Sequence, residues 1–213
     1  MDNLHQPMHF NRVQLCGQTV TEPELSHTNH GEEFFRFLLS VPRLSGQCDT
    51  LPVIAPGHLL ESYGPLPSGS PLSLVGQLRS FNNKSDTGPR LILSVFAQEL
   101  SQAQGAAVNR IQLCGTICKE PSLRHTPLGR EICDIILAVN RRYGRADYLP
   151  CIAWGAVAEQ AARLRVGNPM ALEGRVQSRT YTKNIAGQSE ERTAYEVSIM
   201  RPATPRELLF PDF

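Results

Sequence analysis

Cations crowd into the second half of this sequence. Arg110, Arg141, Arg142, Arg145, Arg175, Arg179 and Lys183 lie there, interleaved with Tyr148, Trp154 and Tyr181. Guanidinium and ammonium groups in such number suit a polyanion better than a chemical transformation. In Arg175-Val176-Gln177-Ser178-Arg179 the alternation of a regular strand puts both arginines on one side with Gln177. Side chains for catalysis are scarce by comparison. The sequence has no glycine-rich phosphate loop, Gly-x-Ser-x-Gly elbow or His-Glu-x-x-His helix. His27-Thr28-Asn29-His30 offers two metal-binding side chains without a third at a recognisable spacing, so a solvated loop is the expectation, with no metal, no cofactor and no enzymatic activity.

Composition agrees with a globular chain of 213 residues, 41% hydrophobic. The net charge of +1 conceals a difference between halves: residues 1–108 carry 6 Lys+Arg against 9 Asp+Glu, residues 109–200 carry 13 against 9. The second half is the one expected to meet an anion. Six cysteines (Cys16, Cys48, Cys114, Cys118, Cys133, Cys151) form no Cys-x-x-Cys pair, and most sit in apolar runs, which points to reduced, buried thiols. No apolar run is long enough to span a bilayer and the N-terminus lacks signal-peptide character, so a cytoplasmic location is expected.

The elements that must position these residues occur twice. Asn11-Arg12-Val13-Gln14-Leu15-Cys16-Gly17 returns as Asn109-Arg110-Ile111-Gln112-Leu113-Cys114-Gly115, an offset of 98 residues, and Glu22-Pro23, Leu51-Pro52 and Gly76 return at the same offset. A repeat this long closes its own core, so the chain reads as two domains of one fold. The second copy alternates through five strand-like runs, beginning near Ile111, Ile132, Tyr148, Pro169 and Ala194, with helix formers at 156–164 between the third and fourth. The β-β-β-α-β-β order implies an all-β chain of two tandem five-stranded OB-fold barrels, each with a helix between strands 3 and 4. The expected boundaries are 1–100, a linker at 101–108, 109–200, and a short tail at 201–213 whose prolines forbid a central strand. In the first copy the helical segment shrinks to Pro56–Ser62, which predicts a looser barrel.

The second copy resembles the bacterial single-stranded DNA-binding protein (SSB) family. The motifs are Asn109-Arg110-Ile111-x-Leu113-x-Gly115, Glu120-Pro121-x-Leu123-Arg124-x-Thr126-x-x-Gly129, Ala138-Val139-Asn140-Arg141-Arg142, Ile152-Ala153-Trp154-Gly155 and Leu172-Glu173-Gly174-Arg175-Val176-Gln177-Ser178-Arg179-x-Tyr181, in the family's order over nearly all of 109–200. The resemblance implies a binder of single-stranded DNA without strong sequence preference, serving replication, recombination or repair. It implies that Tyr148, Trp154 and Tyr181 stack on bases, while Arg110, Arg141, Arg142, Arg145, Arg175, Arg179 and Lys183 form the phosphate track. Trp154, at the end of an apolar strand, has a core position as its alternative.

The first copy departs from that pattern. At the 98-residue offset Tyr148, Trp154 and Tyr181 become Thr50, Pro56 and Asn83, and Arg142, Arg175 and Arg179 become Leu44, Gln77 and Phe81. Phe81, with Arg79 and Lys84, is left as a weaker stacking candidate whose substitution should do little. The first barrel is expected to serve mainly assembly, and the family resemblance implies a homodimer that gathers four barrels. The tail ends in Phe213 without the family's acidic run, leaving open either a peptide for replication or repair partners or an apolar segment packed on the second barrel. A protein-interaction or replication-restart accessory module with weak DNA binding is the competing function.

Overall fold

The computed structural model describes residues 9–83, 91–185 and 188–209; of Arg142, Lys183, Asn184, Ile185, Gln188, Glu190 and Leu209 it describes the backbone alone. The first copy runs β1 (Phe10–Thr19), β2 (Glu24–Asn29), β3 (Glu32–Pro42), β4 (Cys48–Pro56), α1 (Gly57–Tyr63), β5 (Pro71–Asn82) and β6 (Leu91–Gln102). The second repeats it as β7 (Val108–Ile117), β8 (Ser122–His125), β9 (Glu131–Asn140), β10 (Ala146–Trp154), α2 (Ala156–Ala162), β11 (Pro169–Ile185) and β12 (Gln188–Ala203), followed by α3 (Pro205–Leu209). The fold is all-β. Each copy has six strands rather than five among the described residues, because the solvent-exposed arm after the first strand hydrogen-bonds to its neighbour as β2 or β8.

Each barrel closes the same way. In the first, β1 meets β3 at Gln18↔Ser40 and β4 runs parallel to β6 at Val53↔Val95; in the second, β7 meets β9 at Thr116↔Ala138 and β10 runs parallel to β12 at Cys151↔Val197. Inward positions of the alternating strands fill the two cores, and equivalents 98 residues apart do the same work: Val13 and Ile111, Leu39 and Leu137, Leu51 and Leu149 are all buried. Each such side chain contributes roughly 1.5–3 kcal/mol of burial. The repeated glycines are places of close approach. A Cβ at Gly76 or Gly174, each at a bulge, would strike the carbonyl of Phe96 or Ser198 on the paired strand.

The two barrels join through an antiparallel seam, β1 against β7, that turns the described strands into one twelve-stranded sheet. Val13 pairs with its own equivalent Ile111, so the register is that of a pseudo-twofold contact. Asn11 and Asn109 brace the seam strands: Asn11 donates to the carbonyl of Leu78 (2.8 Å) and accepts from its N–H (3.0 Å), and Asn109 does the same at Val176 (2.7 and 2.9 Å).

A second contact crosses between the barrels. Asp147 points inward from β10 and is 1% exposed; it takes both Nε (2.6 Å) and Nη2 of Arg141 and the backbone N–H of Ser80 in the other barrel (2.7 Å). Arg141 also donates to the Ser80 carbonyl (3.2 Å), and the Ser80 hydroxyl accepts from the N–H of Tyr148 (2.8 Å). The pseudo-symmetric copy uses Arg43, Asp49, Ser178 and Thr50: Asp49 accepts from Arg43 Nε (2.8 Å) and Ser178 N (2.9 Å), and Ser178 Oγ accepts from Thr50 N (3.1 Å). A carboxylate buried in a β-barrel needs a cation and several donors, which these clusters supply.

Several expectations are corrected. The two helices have the same length of seven residues; they differ in depth, since α2 buries Ala158 and Ala161 and α1 has no fully buried residue. The strand β12 continues through Arg201 and Pro202 to Ala203, and the proline is tolerated because only β11 flanks β12 there, its pairing with β10 being confined to Val197 and Ser198. Beyond it Thr204 and Glu207 form a capping box, with Thr204 N–H donating to Glu207 (2.5 Å) and Glu207 N–H to Thr204 Oγ1 (3.3 Å), and α3 buries Leu208 against Cys114, Ala171 and Phe10. The described part of the tail thus packs on the barrels, and residues 210–213 lie outside the described residues. All six thiols are free; Cys16, Cys114, Cys133 and Cys151 are buried, whereas Cys48 and Cys118 are exposed.

Candidate nucleic-acid interface

Strand β10 alternates between its two faces, although Ile152 of the outer parity is also buried. Asp147, Leu149, Cys151 and Ala153 face the core, which sends Tyr148 and Trp154 to the outer face, 49% and 39% exposed. The core alternative for Trp154 is therefore set aside. On β11, two strands away across β12, Val176 faces inward and Arg175, Arg179 and Tyr181 have the outward parity and keep exposed surface, while Gln177 of the same parity is covered by its neighbours. Arg175 donates to Gln177 Oε1 (3.3 Å), and Gln177 donates to Glu196 (2.6 Å). The Arg179 guanidinium carbon stands 5.6 Å from the Tyr181 ring centroid, so cation and ring form one amphipathic platform. Arg145, exposed at the start of β10, has no ion-pair partner among the described residues. The outer face of the second barrel thus combines three rings with Arg145, Arg175 and Arg179.

Two members of the expected phosphate track are committed elsewhere. Arg141 neutralises buried Asp147 and reaches across to Ser80, so its charge serves the contact between barrels. Arg110 lies on the seam and donates to Glu173 at 2.6 Å; Glu173 also takes Arg201 at 3.3 Å. Burial works to raise the Glu173 carboxyl, but hydrogen bonds from Arg110 and Gln112 and the nearby guanidinium charges outweigh it and hold its pKa below the usual range. The side chains of Arg142 and Lys183 lie outside the described residues, as does Lys84.

The sequence reading missed two groups at this face. Tyr143, in the turn between β9 and β10, is 96% exposed and holds a left-handed backbone (φ 64°) beside Gly144, which throws its ring into solvent two residues before exposed Arg145. Exposed Arg130, in the β8–β9 turn, lines a shallow depression with His125, Glu131 and Trp154. The signal for Tyr143 was present in Arg141-Arg142-Tyr143-Gly144-Arg145, an aromatic residue set among arginines at a turn glycine.

Comparison with known proteins converges on the same half of the chain, where residues 108–202 match the single-strand binding protein family. The second barrel belongs to that family. Among its relatives, the single-stranded DNA-binding protein 2 of Listeria innocua is 38% identical over 81 residues, covering 35% of this chain and 51% of the relative, and the single-stranded DNA-binding protein A of Bacillus subtilis is 38% identical over 88 residues, covering 38% and 51%. The chain spans about half the length of these relatives. Likeness over both barrels comes from the wild-type single-stranded DNA binding protein of Thermus aquaticus, with a TM-score of 0.74 and 26% identity over 92% of this chain and 93% of that one. A deletion mutant of the same Thermus protein gives a TM-score of 0.72 at 25% identity, over 92% and 95%. The two-barrel arrangement of an SSB-family chain therefore accounts for nearly the whole molecule.

Proposed function

We propose that this chain binds single-stranded DNA without strong sequence preference through the outer face of the second barrel, covering exposed strands during replication, recombination or repair. Bases stack on Tyr148, Trp154 and Tyr181, phosphates lie along Arg145, Arg175 and Arg179, and no covalent step is involved. The carrying observation is that Tyr148 and Trp154 face outward from one strand of a closed barrel. Two large rings on the outer face of one strand, near guanidinium groups, give a surface that a flat, anionic partner can cover. Unpaired bases supply one, because every base has a π-face and each stack contributes about 1–3 kcal/mol. In the cell the protein acts in the cytoplasm as a homodimer of two-barrel chains, and solution mass by light scattering tests the dimer. The described helices include none long and apolar enough to cross a membrane.

Binding of a labelled oligo-dT followed by anisotropy tests the reading. With three to five phosphate contacts, the slope of log affinity on log salt should be about −2 to −3.5, a loss of about 20- to 100-fold between 50 and 200 mM salt. Affinity that does not respond to salt, or a Trp154→Ala, Tyr181→Ala variant that binds as well as the parent, would overturn it.

A further inference from the structure

The rings that the first barrel lacks at Thr50, Pro56 and Asn83 are replaced on neighbouring strands. Phe34 of β3 pairs with Pro56 of β4, the same rung on which Ile132 pairs with Trp154 in the second barrel. The ring has moved one strand across that rung. Strand β6 carries the second replacement. Gly76 pairs with Ala97 while Gly174 pairs with Ile199, so the hairpin joining β5 to β6 is four residues shorter than its counterpart and β6 is displaced against the 98-residue offset. Phe96 consequently faces Ile54, where the second barrel has Ser198 facing Ile152. A constant offset cannot detect either ring.

These rings form a continuous run of flat groups across the barrel. His27 stacks on Phe34 with centroids 4.9 Å apart and planes 9° apart, Phe34 lies 6.0 Å from Phe96, and the Arg79 guanidinium carbon sits 3.5 Å from the centre of the Phe96 ring. Phe34 and Phe96 remain half-exposed. Arg79 differs from Arg43 and Arg141 in having no carboxylate partner among the described residues. Among the described residues its one side-chain hydrogen bond is to Gln77 Oε1 at 3.4 Å, and its Nε–H is buried without an acceptor. Burial, then the neighbouring Arg141 charge, lowers its pKa to about 10, which leaves it cationic at neutral pH. A half-desolvated cation with an unused donor, laid flat on a phenyl ring, is suited to a planar, acceptor-rich, anionic ligand.

The run also leads toward the second barrel. Phe81 follows Arg79 on the same face of β5, is 44% exposed, and lies 5.4 Å from the Arg141 guanidinium carbon, while adjacent Ser80 bonds the backbone of Tyr148. We infer that a single strand leaving the second barrel at Tyr148 passes Phe81 and continues onto a second base-stacking surface made by Phe34, Phe96 and Arg79. This inference rests on the proposed reading of the second barrel and revises the expectation that the first barrel serves mainly assembly. The negative balance of residues 1–108 makes the grip of this surface weaker, so it acts once a strand is already anchored.

The test uses the full chain, an oligo-dT of about 8 nucleotides that fits one barrel, and one of about 30 that spans both, in line with the ~4–16 nucleotides held per OB-fold. A Phe34→Leu, Phe96→Leu variant keeps apolar volume and removes the flat faces, and Arg79→Lys keeps charge and removes the planar group; melting curves confirm that each is folded. The inference expects each variant to bind the long oligomer about tenfold more weakly than the parent, while Trp154 quenching by the short oligomer is unchanged. Parent-like affinity of both variants for the long oligomer, with Trp154 still quenched, would overturn the inference alone. Failure of both oligomers to quench Trp154 in the parent would overturn the reading of the second barrel and this extension with it.

Discussion

Replacing Asp147 with Ala removes one carboxylate that holds three donors from two barrels: Arg141 through Nε and Nη2, and the N–H of Ser80. Breaking a buried ion pair by deleting one partner costs about 3–5 kcal/mol when the remaining charge cannot reach water. The Arg141 side chain keeps 18% of its surface, so part of the loss is recovered by hydration, and about 2–4 kcal/mol is the expected cost. For a chain of this size each kcal/mol moves Tm by about 2–4 °C, giving a fall of roughly 4–16 °C by scanning calorimetry. Deleting both partners should cost less than the sum of the single changes, because Arg141→Ala, Asp147→Ala leaves neither charge buried alone. Asp49→Ala should behave similarly through Arg43 and Ser178. A Tm within about 1 °C of the parent, or additive single and double changes, would refute the role given to these clusters in fixing one barrel against the other.

Other outcomes follow from the same geometry. Thiol labelling of the native protein should modify Cys48 first and Cys118 more slowly, since burial raises the Cys118 thiol pKa and its Sγ donates to the Ile136 carbonyl (3.3 Å); Cys151, pushed far up by burial, should label only on unfolding, and rapid labelling of all six would contradict the packing. Glu173 has a lowered carboxyl pKa, so its contribution is present above about pH 4.5 and is lost as pH falls through its folded value. Glu173→Gln should therefore flatten the acid limb of a stability profile, and an unchanged limb would show that the Arg110–Glu173–Arg201 cluster adds nothing. Leu208→Ala should expose Cys114 to labelling by freeing α3; a still-protected Cys114 would show that the tail does not cover the seam.

Much of this molecule can be read from alternation and the 98-residue offset. The strands of both barrels and the outward arginines Arg175 and Arg179 follow from period-two patterning, which a barrel with one wet face enforces, and the helix formers at 156–164 mark α2. The pattern also held a signal that was passed over. Asp49 and Asp147 share strand parity with Leu51 and Leu149, so both acids had to point inward, and an inward acid demands a cation. Arg43 and Arg141, six residues earlier, were the available ones, and assigning Arg141 to phosphates ignored that demand. The Phe34 and Phe96 rings were hidden for different reasons: Phe34 keeps the 98-residue register but stands across the rung from the position Trp154 would occupy, whereas Phe96 is shifted by a β5–β6 hairpin shorter by four residues. The short arms β2 and β8 have fully exposed burial patterns and so no periodic signature.

The central claim is that unpaired bases stack on the outward ring of β10, and the chain has one tryptophan, Trp154, to report it. Its fluorescence should be titrated with oligo-dT at 50 and 200 mM salt. The account predicts saturable quenching at low salt and a binding curve displaced by about 20- to 100-fold at the higher salt. Emission that stays constant while the oligomer is shown to be bound by an independent method would place the strand elsewhere and contradict the account.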